Sequence, residues 1–128
     1  MLDKTMVSAW LQAYVRAWKT YDPEAIGNLF SENAIYLYSP FHKPVRGRAA
    51  IVASWLEHRD TSRTYDAHYD PVMIDGKRAM SRGSSFYFEA DSVTVKSVWS
   101  NIFLLSFDDD GHCSEYCEWY VMRKIKQS

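Results

Sequence analysis

Up to about residue 60, the chain carries apolar residues mainly at a helical period. Between residues 3 and 20 they recur three and four positions apart, which predicts an amphipathic helix with one buried stripe. The stripe consists of Met6, Val7, Trp10, Leu11, Tyr14, Val15 and Trp18. Asp22 followed by Pro23 predicts a short second helix, because Asp caps helices and Pro suits the first helical position. Its buried face would carry Ile26, Leu29 and Phe30. A third helix is predicted over residues 49–59.

The pattern changes to a strand period in the rest of the chain. A short strand is predicted over residues 34–39, with Tyr36 and Tyr38 on one face. After residue 60 we predict four longer strands, over residues 64–74, 79–90, 93–107 and 112–123. Asp75-Gly76 is a strong hairpin signal between the first two of these. Helices followed by strands indicate an α+β domain, with the helices on one face of an antiparallel sheet.

The long strand over residues 93–107 is apolar on both faces. Phe103 and Leu105 lie on one face with Asn101, and Ile102 and Leu104 lie on the other. An antiparallel sheet usually has one polar, solvated face. We therefore predict that a second subunit covers the outer face and that the protein is a homodimer packed sheet to sheet.

Composition and charge narrow the function classes. The 128 residues fit a single domain over 1–128, and 16% of them are aromatic. Aromatic side chains with a polar edge suit the wall of a cavity, so we expect a small hydrophobic organic ligand as partner. A net charge of −1 argues against a nucleic-acid surface, and no apolar stretch approaches the roughly 20 residues of a membrane span.

The cysteines and the N-terminus predict a cytoplasmic location. On one strand, Cys113 and Cys117 would lie about 13 Å apart, at about 3.3 Å per residue. That is too far for a disulfide, and free thiols suit a reducing compartment. The N-terminal residues have the pattern of an amphipathic helix and not that of a signal peptide.

The order of elements and the local motifs resemble the nuclear transport factor 2-like superfamily, also called the ketosteroid-isomerase-like or SnoaL-like fold. The resemblance covers nearly the whole chain. Its motifs are Tyr14-Val15-Arg16-Ala17-Trp18, Asp22, Ala25-Ile26, Leu29-Phe30-Ser31-Glu32-Asn33-Ala34, Pro40, Arg46-Gly47-Arg48 with Ile51, Trp55, Asp110-Gly111 and Glu118-Trp119-Tyr120. It implies a cone-shaped α+β barrel, in which three N-terminal helices pack on a strongly bent, mostly antiparallel sheet and a pocket opens at the wide end. Members include isomerases, hydrolases, cyclases, dehydratases and proteins that only bind ligands, so the fold does not give the function.

The resemblance also bears on chemistry. Isomerase members use a Tyr on the first helix to stabilise an oxyanion, and Tyr14 matches it in position. Their two catalytic acids would fall at Tyr38 or Ser39 and near Phe103, where this chain has no acid. Ketosteroid isomerisation by that mechanism is therefore not expected, because it needs a base within reach of the substrate. The Asp-Arg-Asp set of the epoxide hydrolase members is not found on matching strands.

The residue of greatest chemical interest is Glu118. Strand alternation places it with Tyr116 and Tyr120, on the face that lines the pocket in the family. Desolvation among aromatic rings would raise its pKa and suit it to acid–base work near neutral pH. The alternative is a structural role, in which Glu118 pairs with an Arg, for which Arg82 is a plausible partner, or with a backbone N–H. Tyr14 is either a hydrogen-bond donor to a ligand or a core Tyr bonded to the backbone.

The complete predicted site combines catalytic and ligand-binding residues. The catalytic candidates are Tyr14 and Glu118. The ligand-binding candidates are Trp18, Tyr36, Tyr38, Trp55, Phe86, Phe88, Asn101, Phe103, Tyr116 and Tyr120. No metal or cofactor is predicted, because the four His lack metal-ligand spacing and no phosphate or dinucleotide motif is present. The turn at residues 108–111 superficially resembles a calcium loop but lacks the later Glu, and His42 is either a surface residue or a contact at the pocket mouth.

Two functions remain open at this point. The first is a small-molecule binding domain, or a cofactor-independent isomerase, cyclase or hydrolase acting on a hydrophobic, ring-containing metabolite such as a polyketide or steroid. The second is a structural or interaction module that works through its sheet face. A protein-transport adaptor rests on the family name alone.

Overall fold

Three helices and six strands form in the described part of the computed structural model, which comprises residues 1–60 and 64–125. The helices are α1 (Lys4–Thr20), α2 (Pro23–Gly27) and α3 (Arg48–Glu57). The strands are β1 (Phe30–Leu37), β2 (Val45–Arg46), β3 (Tyr65–Asp75), β4 (Arg78–Phe88), β5 (Val95–Phe107) and β6 (Cys113–Lys124). The predicted helices and long strands are confirmed, with ends shifted by a few residues.

Local side-chain chemistry explains both ends of α1. The Asp3 carboxylate accepts a hydrogen bond from the backbone N–H of Met6 and caps the helix start. Tyr21 ends the helix in the left-handed conformation, with φ 51°, and its N–H donates to the Ala17 carbonyl. This bend directs the chain into α2, where Asp22 caps and Pro23 occupies the first turn, as predicted.

The strands form one sheet in the order β2-β1-β6-β5-β4-β3. All pairings are antiparallel except β1 with β6, which is parallel. The sheet and helices together have the cone-shaped α+β architecture expected from the sequence, and α1 packs against β3. Buried residues of α1, such as Val7, Leu11 and Tyr14, form one core with residues of β5 and β6. Met6, predicted on the same stripe, is 44% exposed.

The segment after α2 differs from the prediction. Leu29 and Phe30 were expected on the buried face of the helix, but α2 ends at Gly27 and β1 already begins at Phe30. The Leu29 carbonyl accepts hydrogen bonds from the Trp10 indole N–H (2.9 Å) and from the Cys113 backbone N–H (2.8 Å). These partners from α1 and β6 hold the segment as a strand. Both side chains are nevertheless buried, so their apolar character was correctly interpreted.

The facing of β4 was predicted one residue out of register. Phe86 was expected to point inward, but it lies in a shallow depression on the outer face with Arg82 and Ile102. The inward positions include Ser81 and Ser85, which are buried. Phe88 follows a register shift after Tyr87 and pairs with Val95. The sequence places aromatic side chains on both faces of this strand, so alternation alone does not show which face points inward.

The outer face of the sheet is apolar, as predicted. Ile102 and Leu104 on β5 are each 42% exposed, and on β6 Trp119 is 42% and Val121 75% exposed. Trp119 pairs directly with Ile102, so their side chains share this face. No helix in the described part of the chain is long and apolar enough to cross a bilayer.

Candidate active site: an aromatic cavity with a buried carboxylate

A cavity of about 230 Å³ lies between α1, α3 and the inner face of the sheet. Ten of its lining residues are Tyr or Trp: Tyr14, Trp18, Tyr21, Tyr36, Tyr38, Trp55, Tyr69, Tyr87, Trp99 and Tyr120. The other five are His58, Asp60, Ser85, Asn101 and Glu118. No aliphatic side chain and no Phe lines the cavity among the residues described. Every lining side chain therefore has a polar atom as well as apolar surface.

Most of the predicted site residues meet at this cavity. Those that line it are Tyr14, Trp18, Tyr36, Tyr38, Trp55, Asn101, Glu118 and Tyr120. Phe103 and Tyr116 lie beneath the lining, each 1% exposed, in the core under Tyr14. Phe86 lies on the outer face, and Phe88 is not among the described lining residues.

Seven lining residues were not found by sequence reasoning: Tyr21, His58, Asp60, Tyr69, Ser85, Tyr87 and Trp99. Ser85 and Tyr87 were missed because of the error in the facing of β4. Trp99 shares the face of Asn101, two residues away, and strand alternation could have found it. Tyr21 is brought to the cavity by the left-handed end of α1, for which the sequence carried no clear signal. The predicted mouth residue His42 contacts the Tyr38 ring, with centroids 5.2 Å apart.

The floor of the cavity is a continuous chain of six hydrogen-bonded side chains. On one side, the Tyr14 and Tyr116 hydroxyls are 2.9 Å apart, and Tyr116 donates to Glu118 Oε1 at 2.9 Å. On the other side, Asn101 Nδ2 donates to Glu118 Oε2 at 2.6 Å. Ser85 donates to Asn101 Oδ1 at 2.8 Å, and the Tyr69 hydroxyl is 2.5 Å from Ser85 Oγ. The chain spans α1, β3, β4, β5 and β6, and Glu118 lies in its middle.

Proton counting fixes the direction of these bonds when Glu118 is ionised. A hydroxyl has one proton, and Tyr116 donates its proton in the hydrogen bond to Glu118. Tyr14 must then donate to Tyr116, which leaves only a lone pair of Tyr14 for a ligand. When Glu118 binds a proton, it is placed on Oε1, because Oε2 faces the Asn101 amide donor. Tyr116 can then accept from Glu118 and donate to Tyr14, whose own proton becomes free for the cavity.

The protonation state of Glu118 is therefore coupled to what Tyr14 offers a ligand. The predicted role of Tyr14 as a donor is open to it only when Glu118 is protonated. Burial raises the pKa values of Tyr14, Tyr36 and Tyr116 well above their ordinary range, so the phenols stay neutral. Among the hydrogen-bonded side chains of the floor, Glu118 is thus the group that gains or loses a proton near neutral pH.

Burial raises the pKa of Glu118 from its ordinary value of 4.5 to about 7. The hydrogen bonds from Tyr116 and Asn101 act in the opposite direction and are outweighed by desolvation. The groups that interact electrostatically with it are neutral acids. They are Tyr14, Tyr36, Tyr69 and Tyr87 from other elements, and Tyr116 and Cys117 from β6 itself. The expected ion pair with Arg82 is wrong, because Arg82 lies on the outer face of β4.

A second carboxylate, that of Asp60, lies on the cavity wall after α3. Its Oδ2 accepts a hydrogen bond from the Trp18 indole N–H at 2.9 Å, and its backbone N–H donates to the Tyr21 hydroxyl at 2.7 Å. The Arg59 guanidinium lies 5.5 Å from the centre of the Tyr21 ring. His58 also lines the cavity, and its Nδ1 is 3.0 Å from the Ser54 carbonyl oxygen.

The turn between β5 and β6 brings Asp108, Asp110 and His112 together, with possible ligand atoms within 4.8 Å of one another. The Asp108 carboxylate is already used by the turn. Its Oδ1 accepts the backbone N–H groups of Asp110 and His112, and its Oδ2 accepts the Ser31 hydroxyl. These bonds explain the cluster as a hairpin turn, which is how the sequence was interpreted. In the parts of the chain that are described, both cysteines are free thiols.

A cone of helices and bent sheet around an aromatic cavity defines a class of small-molecule-binding and isomerase-type domains. Residues 11–116 match the SnoaL-like domain family, and the chain belongs to that family. It is similar in fold to an NTF-2 like protein of unknown function from Burkholderia xenovorans LB400 (TM-score 0.67, 13% identity, covering 97% of this chain and 88% of that one). It is also similar to an NTF2-like protein of unknown function from Cytophaga hutchinsonii ATCC 33406 (TM-score 0.64, 13% identity, covering 89% and 98%). No curated protein matches the chain.

Proposed function

We propose that the protein binds a compact, ring-containing organic molecule in the aromatic cavity and exchanges a proton with it, without a cofactor. The observation that carries this proposal is the environment of Glu118. Neutral groups surround this carboxylate, and burial raises its pKa to about 7. A group that titrates near the working pH is suited to both accept and donate a proton. A largely desolvated carboxylate without a cation partner destabilises the fold, which favours a functional reason for its presence.

The hydrogen-bonded floor supplies the route for the proton. Tyr14 lines the cavity, and with Glu118 ionised its lone pair is available to a ligand. The ligand's X–H bond breaks as a new O–H bond forms at Tyr14. The former Tyr14 proton moves to Tyr116, and the Tyr116 proton moves to Glu118 Oε1. Both phenols end neutral, the ligand carries the electron pair, and the reverse sequence returns a proton to another position of the ligand, which is an isomerisation.

The volume of the cavity limits the ligand. At about 230 Å³ it is smaller than the roughly 300–1,000 Å³ of pockets for drug-sized ligands. It has the volume of about eight water molecules at roughly 30 Å³ each. We therefore propose a ligand of one or two rings and not a four-ring steroid.

A screen combined with isotope exchange tests this proposal. Thermal-shift measurements against one- and two-ring carbonyl compounds should give hits, since a ligand of the folded state raises the melting temperature. For each hit, solvent deuterium incorporation followed by NMR should be catalysed by the wild type. Glu118→Gln and Tyr116→Phe should bind the same compounds but lose about 10²-fold or more of the exchange rate. Exchange at the wild-type rate in both variants would remove the relay, and absence of any hit would remove the binding function.

The exposed outer face supports a second role as an interface. Ile102, Leu104, Trp119 and Val121 form an apolar patch on adjacent strands, and such patches mark interaction surfaces. We propose that a second copy of the chain covers it, sheet to sheet. Sedimentation should show a dimer that Leu104→Glu converts to a monomer with unchanged helix content. A monomeric wild type would favour the alternative, an interaction module that presents this face to a different protein.

We further propose a cytoplasmic location, supported by the two free thiols Cys113 and Cys117. Cell fractionation of the native host with an antibody to the protein tests it. Recovery outside the cytoplasmic fraction would contradict it.

A further inference from the structure

The charges around the cavity are unbalanced. Glu118 and Asp60 both line it, whereas no Lys or Arg does so among the residues described. His58 is the only basic group on this described lining, and its Nδ1 is engaged with the Ser54 carbonyl. Arg59 lies outside the lining, over the Tyr21 ring. The lining therefore repels an anion and offers a cation two carboxylates.

Many polar groups of the lining are already hydrogen-bonded within the protein. Trp18 Nε1 donates to Asp60, and the Tyr38 hydroxyl is 2.7 Å from Ser54 Oγ. Asn101 and Ser85 are both hydrogen-bonded within the floor chain that contains Glu118. Trp55 Nε1 is buried without a hydrogen-bond partner in the described part of the chain, so it remains available to a ligand as a donor. The lining also offers negative charge, which acts without strict direction.

The aromatic rings add a second attraction for positive charge. Tyr36, Tyr38, Trp55, Tyr14 and Tyr69 form one arc, with neighbouring centroids 4.8 to 6.2 Å apart. Trp18, Tyr87, Trp99 and Tyr120 form another, with neighbours 4.8 to 6.1 Å apart. Ring faces of Trp and Tyr attract cations, and sets of such rings around a cavity bind ammonium groups. The Tyr21 ring, which also lines the cavity, already receives the Arg59 cation.

From the lining as a whole we infer that the ligand is an organic cation, a compact molecule with an ammonium group held between the two aromatic arcs and the carboxylates of Glu118 and Asp60. This inference rests on the proposed function, since it names the chemical class of ligand for the same cavity. A neutral polycyclic hydrocarbon would be expected to meet aliphatic side chains, which the described lining lacks. An anion would have to enter a cavity that already holds two carboxylates.

Probe pairs that match in shape and differ in charge test the inference on the whole protein. Choline is compared with 3,3-dimethylbutan-1-ol, and benzyltrimethylammonium with neopentylbenzene, because each pair differs only by N⁺ in place of carbon. Dissociation constants are measured at pH 8 by tryptophan fluorescence and, for the soluble pair, by calorimetry. We expect each cation to bind about tenfold or more tightly than its neutral partner. Glu118→Gln and Asp60→Asn should each reduce that ratio, whereas Asp70→Asn on the outer surface should not.

The possible outcomes distinguish this inference from the proposed function on which it rests. Equal or tighter binding of the neutral partners would overturn the cation class and leave the binding function standing. Tighter binding of phenylacetate than of benzyltrimethylammonium would also overturn it. Failure of all four probes, together with failure of the one- and two-ring carbonyl compounds, would remove both. A cation preference that persists unchanged in the Glu118 and Asp60 variants would contradict the role of these carboxylates.

Discussion

Successive side chains of β5 and β6 point to opposite faces of the sheet, and these two faces differ in an unusual way. On the inner face, Asn101 and Glu118 are polar, largely buried and hydrogen-bonded to named partners. On the outer face, Ile102 and Trp119 are apolar and each 42% exposed. An antiparallel sheet usually has an apolar inner face and a polar outer face. Here the inner face carries these polar groups beside apolar Phe103 and Leu105, and the outer face is apolar. We propose that the polar inner groups serve the chemistry of the cavity and that the apolar outer face is an interface.

The inner face also depends on tight packing that the outer face does not need. Gly83 on β4 pairs with Tyr69 on β3, and a Cβ at Gly83 would lie 2.6 Å from the Tyr69 ring and 2.0 Å from the His68 carbonyl oxygen. The missing side chain lets the Tyr69 ring cross the strand and its hydroxyl reach Ser85. One glycine thus positions one end of the polar chain.

The largest effect is expected from filling this space. Gly83→Ala should lower the free energy of unfolding by about 4 kcal/mol or more, since the clash is with backbone and not with a flexible side chain. Ser84→Ala, one residue away and next to the outer depression, should change it by less than about 0.5 kcal/mol. Urea unfolding followed by tryptophan fluorescence measures both. Similar losses in the two variants would show that the inner face is not the more constrained one.

The pH dependence of stability tests the inner face at Glu118. Its native pKa of about 7 exceeds the ordinary 4.5, so between these pH values the unfolded chain releases a proton that the native protein keeps. Stability from this group is complete below about pH 4.5 and is lost as the pH rises through 7, by about 3 kcal/mol. Glu118→Gln should remove that loss, because its amide can donate to Tyr116 and its oxygen can accept from Asn101. The advantage of the variant over wild type should grow from pH 5 to pH 8, and a constant difference would contradict the raised pKa.

A smaller effect is expected from removing one link of the floor. Tyr116→Phe leaves Glu118 Oε1 without its donor and should lower the free energy of unfolding by about 2 kcal/mol at pH 8. Because the bond from Tyr116 lowers the pKa of Glu118, its loss should raise that pKa further. Tyr120→Phe, which removes a hydroxyl from a half-exposed ring, should have little effect on either quantity. Equal effects of the two substitutions would show that the hydroxyl chain is not coupled to Glu118.

The element order and the inward face of β5 and β6 could be predicted from the sequence because their periodicity is unambiguous. Phe103 and Leu105 are buried, and Ile102 and Leu104 are exposed, as the alternation indicated. The environment of Glu118 among Tyr side chains followed from the same alternation. The cause of the raised pKa of Glu118, which is burial among neutral groups, was also the one expected from the sequence.

The facing of β4 and the partners of Glu118 could not be predicted in the same way. Phe86, Tyr87 and Phe88 give an aromatic side chain to both faces, so pairing with β3 and β5 decides which face turns inward. The same error made Arg82 a plausible partner of Glu118, whereas the partner on β5 is Asn101. The parallel pairing of β1 with β6 joins residues about 80 positions apart, for which no local pattern exists.

Direct titration of Glu118 is the measurement that tests the central claim most closely. Carbon-13 NMR of the Glu side-chain carboxyl signals, assigned with Glu118→Gln, follows this group from pH 4 to 9. The hydrogen-bonded, desolvated carboxylate described here should titrate with a midpoint near pH 7. A midpoint near 4.5 would mean that water or a cation reaches Glu118, and the proton-exchanging cavity would then have no physical basis.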